Sequence, residues 1–225
     1  KTNVFKNVSA NQVIIADIAD AKQIKQKKNN VASLFTKVEN TSIGLNFVHK
    51  ENEFDDWQEQ ILLPHRLSQN GPFSTTADVN NDGLEDLFVG GAKDQPGILY
   101  LQNQEGKFSK STSQPWSSDR VSEDLGCLFF DADGDDDLDL YVASGGNEFK
   151  LGDNALLDRL YLNDGKGNFR KDSRALPSIK VSSQSVISSD IDKDGDLDLF
   201  VGTRLIPGKY TFPADSYLLL NENGT

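Results

Sequence analysis

Past residue 70, apolar residues gather in short runs, and each main run follows directly on an acidic stretch. "LFVGG" (87–91), "LYVASGG" (140–146) and "LFVGT" (199–203) open with apolar residues on consecutive positions. That pattern is expected of a strand covered on both faces, whereas a strand with one wet face would alternate. A second set of runs lies downstream: "ILYLQNQEGKF" (98–108), "RLYLNDGKGNF" (159–169) and "YLLLNENGT" (217–225). Each leads into an Asn/Gly turn, and in the first two a Phe follows. No stretch of 71–225 sustains a helical amphipathic period over a dozen residues, so helices are not expected there. Gly-rich turns at short spacing predict antiparallel hairpins.

The acidic stretches are copies of one another. "ADVNNDGLEDLFVGG" (77–91), "FDADGDDDLDLYVASGG" (130–146) and "SDIDKDGDLDLFVGT" (189–203) align without gaps through thirteen residues. Asp78, Asp131 and Asp190 open the three copies at intervals of 53 and 59 residues. A unit of that length holding about four short strands has the size of a propeller blade. The expected fold is all-β: a partial β-propeller of four-stranded antiparallel blades, with repeats at 72–124, 125–183 and 184–225. The third repeat stops short of its closing Phe, and "LFTKV" (34–38) is a candidate for its missing last strand.

Like charges repel, so a ninefold stretch such as "DIDKDGDLD" (190–198) needs compensation. Counted from the opening Asp, positions 1, 3, 5 and 9 are Asp78, Asn80, Asp82 and Asp86 in the first copy. They are Asp131, Asp133, Asp135 and Asp139 in the second, and Asp190, Asp192, Asp194 and Asp198 in the third. All twelve offer a side-chain oxygen, and alternate residues of a curled loop point inward together. Position 7 (Leu84, Asp137, Asp196) varies in side chain, which suits a main-chain carbonyl ligand. Calcium takes six to eight oxygen ligands of this kind in flexible geometry. The expectation is one Ca2+ in each acidic loop, about three ions, each bound for structural reasons. Three such ions would move the formal net charge from −12 to −6.

Position 6 is Gly83 and Gly195 in two copies, supplying the positive φ of a tight reversal, and Asp136 in the other. The second site is expected to form with altered affinity. An EF-hand carries Glu at position 12 and runs into a helix; here that position is Val89, Val142 and Val201 in strand-like runs. No His or Cys lies in any loop, which disfavours softer metals.

The net charge of −12 opposes nucleic acid or an anionic membrane as main partner. A single cysteine, Cys127, precludes an internal disulfide and is expected to be a buried apolar-like thiol. "AKQIKQKKNN" (21–30) has the composition of a solvated linker. His49, His65 and Trp57 are assigned packing or surface roles, and Trp116 a core or blade-edge place. No nucleophile elbow is present, and no cluster of His, Tyr, Arg and Glu that would mark a catalytic channel is evident. The chain begins at Lys1 and contains no Met, as a piece of a longer or processed protein would.

The "DxDxDGxxD" loops followed by "LFVGG" resemble the FG-GAP or VCBS repeats of integrin-α-type β-propellers, over about 72–225. In that family the loop joins two strands of a blade and binds calcium through positions 1, 3, 5, 7 and 9. "FTKVENTSIGLNFVHKENEF" (35–54) is similar to the segment leading into the propeller in bacterial members. "KTNVFKNVSANQVIIAD" (1–17) is similar to the closing strand of an ASPIC and UnbV domain. The resemblance implies a domain tail at 1–20, a linker at 21–33 and a propeller segment at 34–225. It also implies a calcium-stabilised, non-enzymatic binding or scaffold module of a secreted or cell-surface bacterial protein. Its expected partners are a protein or glycan ligand and the remaining blades or domains of the parent. The rival expectation is a propeller-scaffolded hydrolase or lyase.

Overall fold

The computed structural model describes residues 33–222, together with Lys6, Ala10, Asn11, residues 13–15, Asp17 and Ala19. The proposed ASPIC-type strand at 1–20 and the linker at 21–33 lie for the most part outside the described residues. The chain divides into two compact units, Lys1–Lys37 and Val38–Thr225, and the second contains every strand described here.

That unit is all-β. Three antiparallel sheets follow the three repeats in order. The first is β1 (Ser74–Ala77), β2 (Asp86–Val89), β3 (Ile98–Gln102) and β4 (Phe108–Lys110), paired β1-β2-β3-β4. The second is β5 (Glu123–Phe130), β6 (Asp139–Gly145), β7 (Arg159–Leu162) and β8 (Arg170–Asp172), paired in the same way. The third has three described strands, β9 (Ser182–Ser189), β10 (Asp198–Leu205) and β11 (Tyr217–Leu219), with β10 central. Each acidic stretch is the connection of a first hairpin: Ala77 pairs with Asp86, Phe130 with Asp139, and Ser189 with Asp198. Residues 34–38 carry no strand, and Leu34 and Phe35 are exposed. The expectation that "LFTKV" closes the third blade is therefore not met among the described residues.

The sheets lie side by side with β1, β5 and β9 as neighbours. Side chains of a strand alternate between faces, and β6 shows what this does when both faces are covered. Its Leu140 and Val142 join Phe88, Leu99 and Trp116 in the core between the first two sheets. Its Tyr141 and Ala143 join Leu199 and Val201 in the core between the second and third. All seven residues of β6 are buried, which is why its apolar run is continuous. Trp116 sits at the centre of the first interface, edge-on to Phe88 (ring centroids 5.0 Å apart) and Tyr161 (5.6 Å). Burying one such side chain contributes about 1.5–3 kcal/mol, so these layers dominate cohesion of the sheets.

Residues 39–70 carry little regular structure beyond the short helix α1 (Asp56–Glu59), which Asp55 caps by accepting from the Trp57 N–H. This segment ties onto the ends of the first two sheets that lie away from the acidic loops. Gln95 accepts from Lys50 N–H and donates to the Val48 carbonyl; Tyr100 donates to Asn46 Oδ1 at 2.8 Å. Asp56 is wholly buried and accepts from Ser68 Oγ (2.6 Å) and Asn147 Nδ2 (2.8 Å). Trp57 is half-exposed, donates to the Leu63 carbonyl and is stacked by Arg66 at 5.5 Å, while His65 is exposed. Cys127 is half-buried against the first inter-sheet core, and burial pushes its thiol up to about 12. It is inert at neutral pH.

Candidate metal-binding loops

The three loops repeat one hydrogen-bonding scheme. At position 1, Asp78 accepts from the Asp82 and Gly83 N–H groups, Asp131 from Gly134 and Asp136, and Asp190 from Lys193. At position 5, Asp82, Asp135 and Asp194 accept from the N–H of position 7 (Leu84, Asp137, Asp196) at 2.9–3.0 Å. The loops curl because two residues of each take positive φ. Position 6 does so in all three, at Gly83 (83°), Asp136 (66°) and Gly195 (106°). Position 4 does so as well, at Asn81 (59°), Gly134 (75°) and Lys193 (67°). The second loop has thus not lost its glycine. It carries it at position 4 instead of position 6, and each loop holds one glycine and one strained non-glycine residue.

Position 9 has a distinct role. Asp86, Asp139 and Asp198 are at most 1 % exposed, and each starts the second strand of its hairpin. One carboxylate oxygen of each accepts from the N–H of position 2: Val79 (3.2 Å), Ala132 (3.0 Å) and Ile191 (2.8 Å). The other accepts from the end of the third strand: Gln102 (2.8 Å), Asn163 (2.7 Å) and Asn221 (2.9 Å). The same carboxylate therefore staples the loop shut and fastens it to the next hairpin. Burial pushes Asp139 up to about 7 against those two N–H groups, with Asp133 and Asp135 adding to the shift. Burial raises Asp86 in the same sense. For Asp198 the N–H donors prevail, and its carboxyl is lowered.

The carboxylates converge. Ligand oxygens of Asp131, Asp133 and Asp139 lie within 4.8 Å of one another, as do those of Asp190, Asp192 and Asp194. Calcium–oxygen bonds of 2.3–2.6 Å put opposed ligands about 4.8 Å apart, so these groups have the dimensions of a calcium shell. Asp135 and Asp198 stay outside their groups, and in the first loop position 3 is the amide oxygen of Asn80. Asp78, Asp82 and Asp86 form no such carboxylate group among the described residues. The residues fit a hard oxygen-seeking cation at the second and third loops. Asp131, Asp133 and Asp139 would hold it in one, Asp190, Asp192 and Asp194 in the other. The side chain of Asp137, at position 7, turns away from its own loop and accepts from Asn81 Nδ2 of the first (3.2 Å).

Two features escaped the sequence reading. The first is an amide that crosses between repeats. Asn163 Nδ2 donates to the carbonyls of Val79 (2.8 Å), in the first loop, and Leu138 (3.1 Å). Asn221 Nδ2 donates to Ala132 (2.9 Å), in the second loop. The recurrence of Asn before each "DG" or "EN" turn was the available signal. The second is a buried polar cluster at the opposite strand ends, where His49, Glu51, Glu123 and Glu148 come together beside the Asp124–Arg159 pair (2.6 Å). His49 and Glu51 sit on one loop, but Glu123 and Glu148 lie 72 and 97 residues beyond Glu51, so no local pattern announces the group.

No helix of the described residues is long and apolar enough to cross a membrane. A search of the curated proteins found no match. Residues 78–142 and 131–201 each match the FG-GAP-like repeat. Each match runs from position 1 of one acidic loop to position 12 of the next, so the repeat unit is the hairpin loop and the blade that follows it. Together the two matches span more than half of the chain, which therefore belongs to the FG-GAP-like repeat family.

Proposed function

We propose that this chain is a calcium-stabilised β-propeller segment of the VCBS kind, a binding or scaffold module rather than an enzyme. The parent would be a secreted or cell-surface bacterial protein, with a protein or glycan as ligand. An ASPIC and UnbV-type domain would precede the propeller, its tail at residues 1–20. The observation that carries the reading is the convergence of unneutralised carboxylates in hairpin loops of one repeated scheme. A cation at that point converts mutual repulsion into attraction. The loops join strands that are otherwise held by apolar layers, so the ion's binding energy becomes folding energy. Helices that an ion could reorient are absent around the loops, which favours a structural over a signalling role.

Thermal unfolding in calcium and in EDTA tests this. At a hundredfold excess over the dissociation constant, one site adds about 2.7 kcal/mol. For a chain of this size that moves Tm by about 5–10 °C per site. Superimposable melting curves in calcium and EDTA would remove the calcium reading.

A further inference from the structure

Outside the loops, the densest unsatisfied polar group of the described molecule sits where residues 49–52 meet the start of β5 and the end of β6. Glu123 is wholly buried, and neither carboxylate oxygen has a well-formed hydrogen bond, with the Asn70 N–H acting on it. The Glu148 side chain is 1 % exposed, and its oxygens have no well-formed hydrogen bond, with the Asn52 amide and Lys93 acting on them. Glu51 Oε2 and Asn52 Oδ1 are buried without partners too, so six oxygens of this neighbourhood lack one. Glu51 Oε1 is held by His49 Nε2 at 2.7 Å, and the same nitrogen lies 3.2 Å from the Asn70 carbonyl. The nearest cation to Glu148 is Lys93, with Nζ 3.9 Å away and partly solvated.

Such an arrangement is costly as it stands. A buried polar atom left unpaired costs about 1–3 kcal/mol, more when charged. Burial first, then the charges of Glu51 and Glu148, push the Glu123 carboxyl up to about 9. The backbone keeps room for it all the same. Gly146 has φ 103°, and a Cβ there would stand 2.3 Å from Glu123 Oε2. Asp56 shows the contrast, since it is equally buried nearby and fully satisfied by Ser68 and Asn147.

We propose that Glu51, Asn52, Glu123 and Glu148 form a second kind of cation site in this chain, for one oxygen-seeking divalent cation. Carboxylate and amide oxygens without thiolates select calcium, magnesium or manganese, and six oxygens meet the lower coordination number of calcium. The three carboxylates are not gathered within 4.8 Å of one another as the loop groups are, so a bound ion would have to draw them together. The ion would clamp residues 49–52 onto the first hairpin of the second sheet. The eight residues of β5 separate this site from the second acidic loop by about 24 Å, which makes the two independent.

Calcium binding to the chelator-stripped full chain, counted by equilibrium dialysis with elemental analysis, tests the site. The double variant Glu123→Gln/Glu148→Gln is expected to bind one calcium fewer per chain than the wild type. A loop variant, Asp131→Asn/Asp133→Asn, is expected to lose its own ion and keep this one. In EDTA the Glu123→Gln/Glu148→Gln chain should melt no lower than the wild type, because two crowded buried carboxyls have become neutral amides of similar shape. Its gain in Tm on adding calcium should be smaller. Glu51→Gln, on the partly exposed side, provides the same count should the double variant not fold. Unchanged calcium and manganese stoichiometry in both Glu variants would overturn the proposal, leaving Glu123 as a protonated core acid. A loop variant that binds as much calcium as the wild type would overturn the loop reading and leave this site standing.

Discussion

The loop backbone explains how the second repeat tolerates Asp at a position where its neighbours have glycine. Left-handed geometry costs a residue with a Cβ about 1–2 kcal/mol, and Asp and Asn bear it best. Each loop meets this cost once, at Asn81, Asp136 or Lys193, and uses glycine at the other reversal. Asp136 has φ 66°, so replacing it by Gly relieves strain at the expense of unfolded-state entropy. Asp136→Gly is expected to stabilise the calcium-free chain by about 0.5–1 kcal/mol in urea unfolding. A destabilised variant would mean that the Asp136 side chain contributes an interaction larger than the strain it imposes.

Among the elements, the third strands of the second and third sheets run into an asparagine that serves two repeats at once. The Asn163 N–H fastens its own loop through Asp139, and its side-chain amide reaches the Val79 carbonyl of the preceding loop. Asn163 Oδ1 also closes the following turn by accepting from Asp164 and Gly167. Truncation would strand two buried carbonyls and loosen the turn. Asn163→Ala should cost about 2–4 kcal/mol in urea unfolding, given about 1–3 kcal/mol per unpaired buried group. Gln102, whose N–H binds Asp86, occupies the matching place in the first sheet. A cost below about 0.5 kcal/mol would show that water replaces the amide and that the sheets are joined by their apolar layers alone.

Across the whole of the larger unit, the same strand face that is buried twice is left open once. Phe88 of β2 and Tyr141 of β6 are covered by the sheet that follows each in sequence. Phe200 of β10 occupies the same register and is 43 % exposed, flanked in the sheet by Ile187 (62 %) and Leu218 (50 %). Adjacent exposed apolar side chains of this size mark an interaction surface. A further blade or a neighbouring domain of the parent protein is the proposed cover. In its absence the isolated chain should self-associate with rising concentration in sedimentation velocity, and Phe200→Asp should reduce that association severalfold. A wild-type chain that stays monomeric across the same range would argue that this face is adapted to water.

The all-β repeat, the hairpin position of the acidic loops and the two-faced burial of β6 were legible in the residue order. Each rests on interactions within a few residues, where spacing and side-chain chemistry act directly: Asp131, Asp133 and Asp139 converge because one hairpin turn carries them all. The positive φ at position 4 was not legible as a repeated feature, because Asn81, Gly134 and Lys193 share no residue type. Nor was the split of position 9 from the other ligands. Asp86, Asp139 and Asp198 look like their neighbours until the third strand delivers Gln102, Asn163 and Asn221 to them. The Glu51–Glu123–Glu148 cluster is the extreme case. Its members lie on a loop, a strand start and a strand end, and only the packing of residues 49–70 against β5 and β6 removes them from water together. Burial is a property of the assembled layers, and with it come the unpaired oxygens that point to a cation.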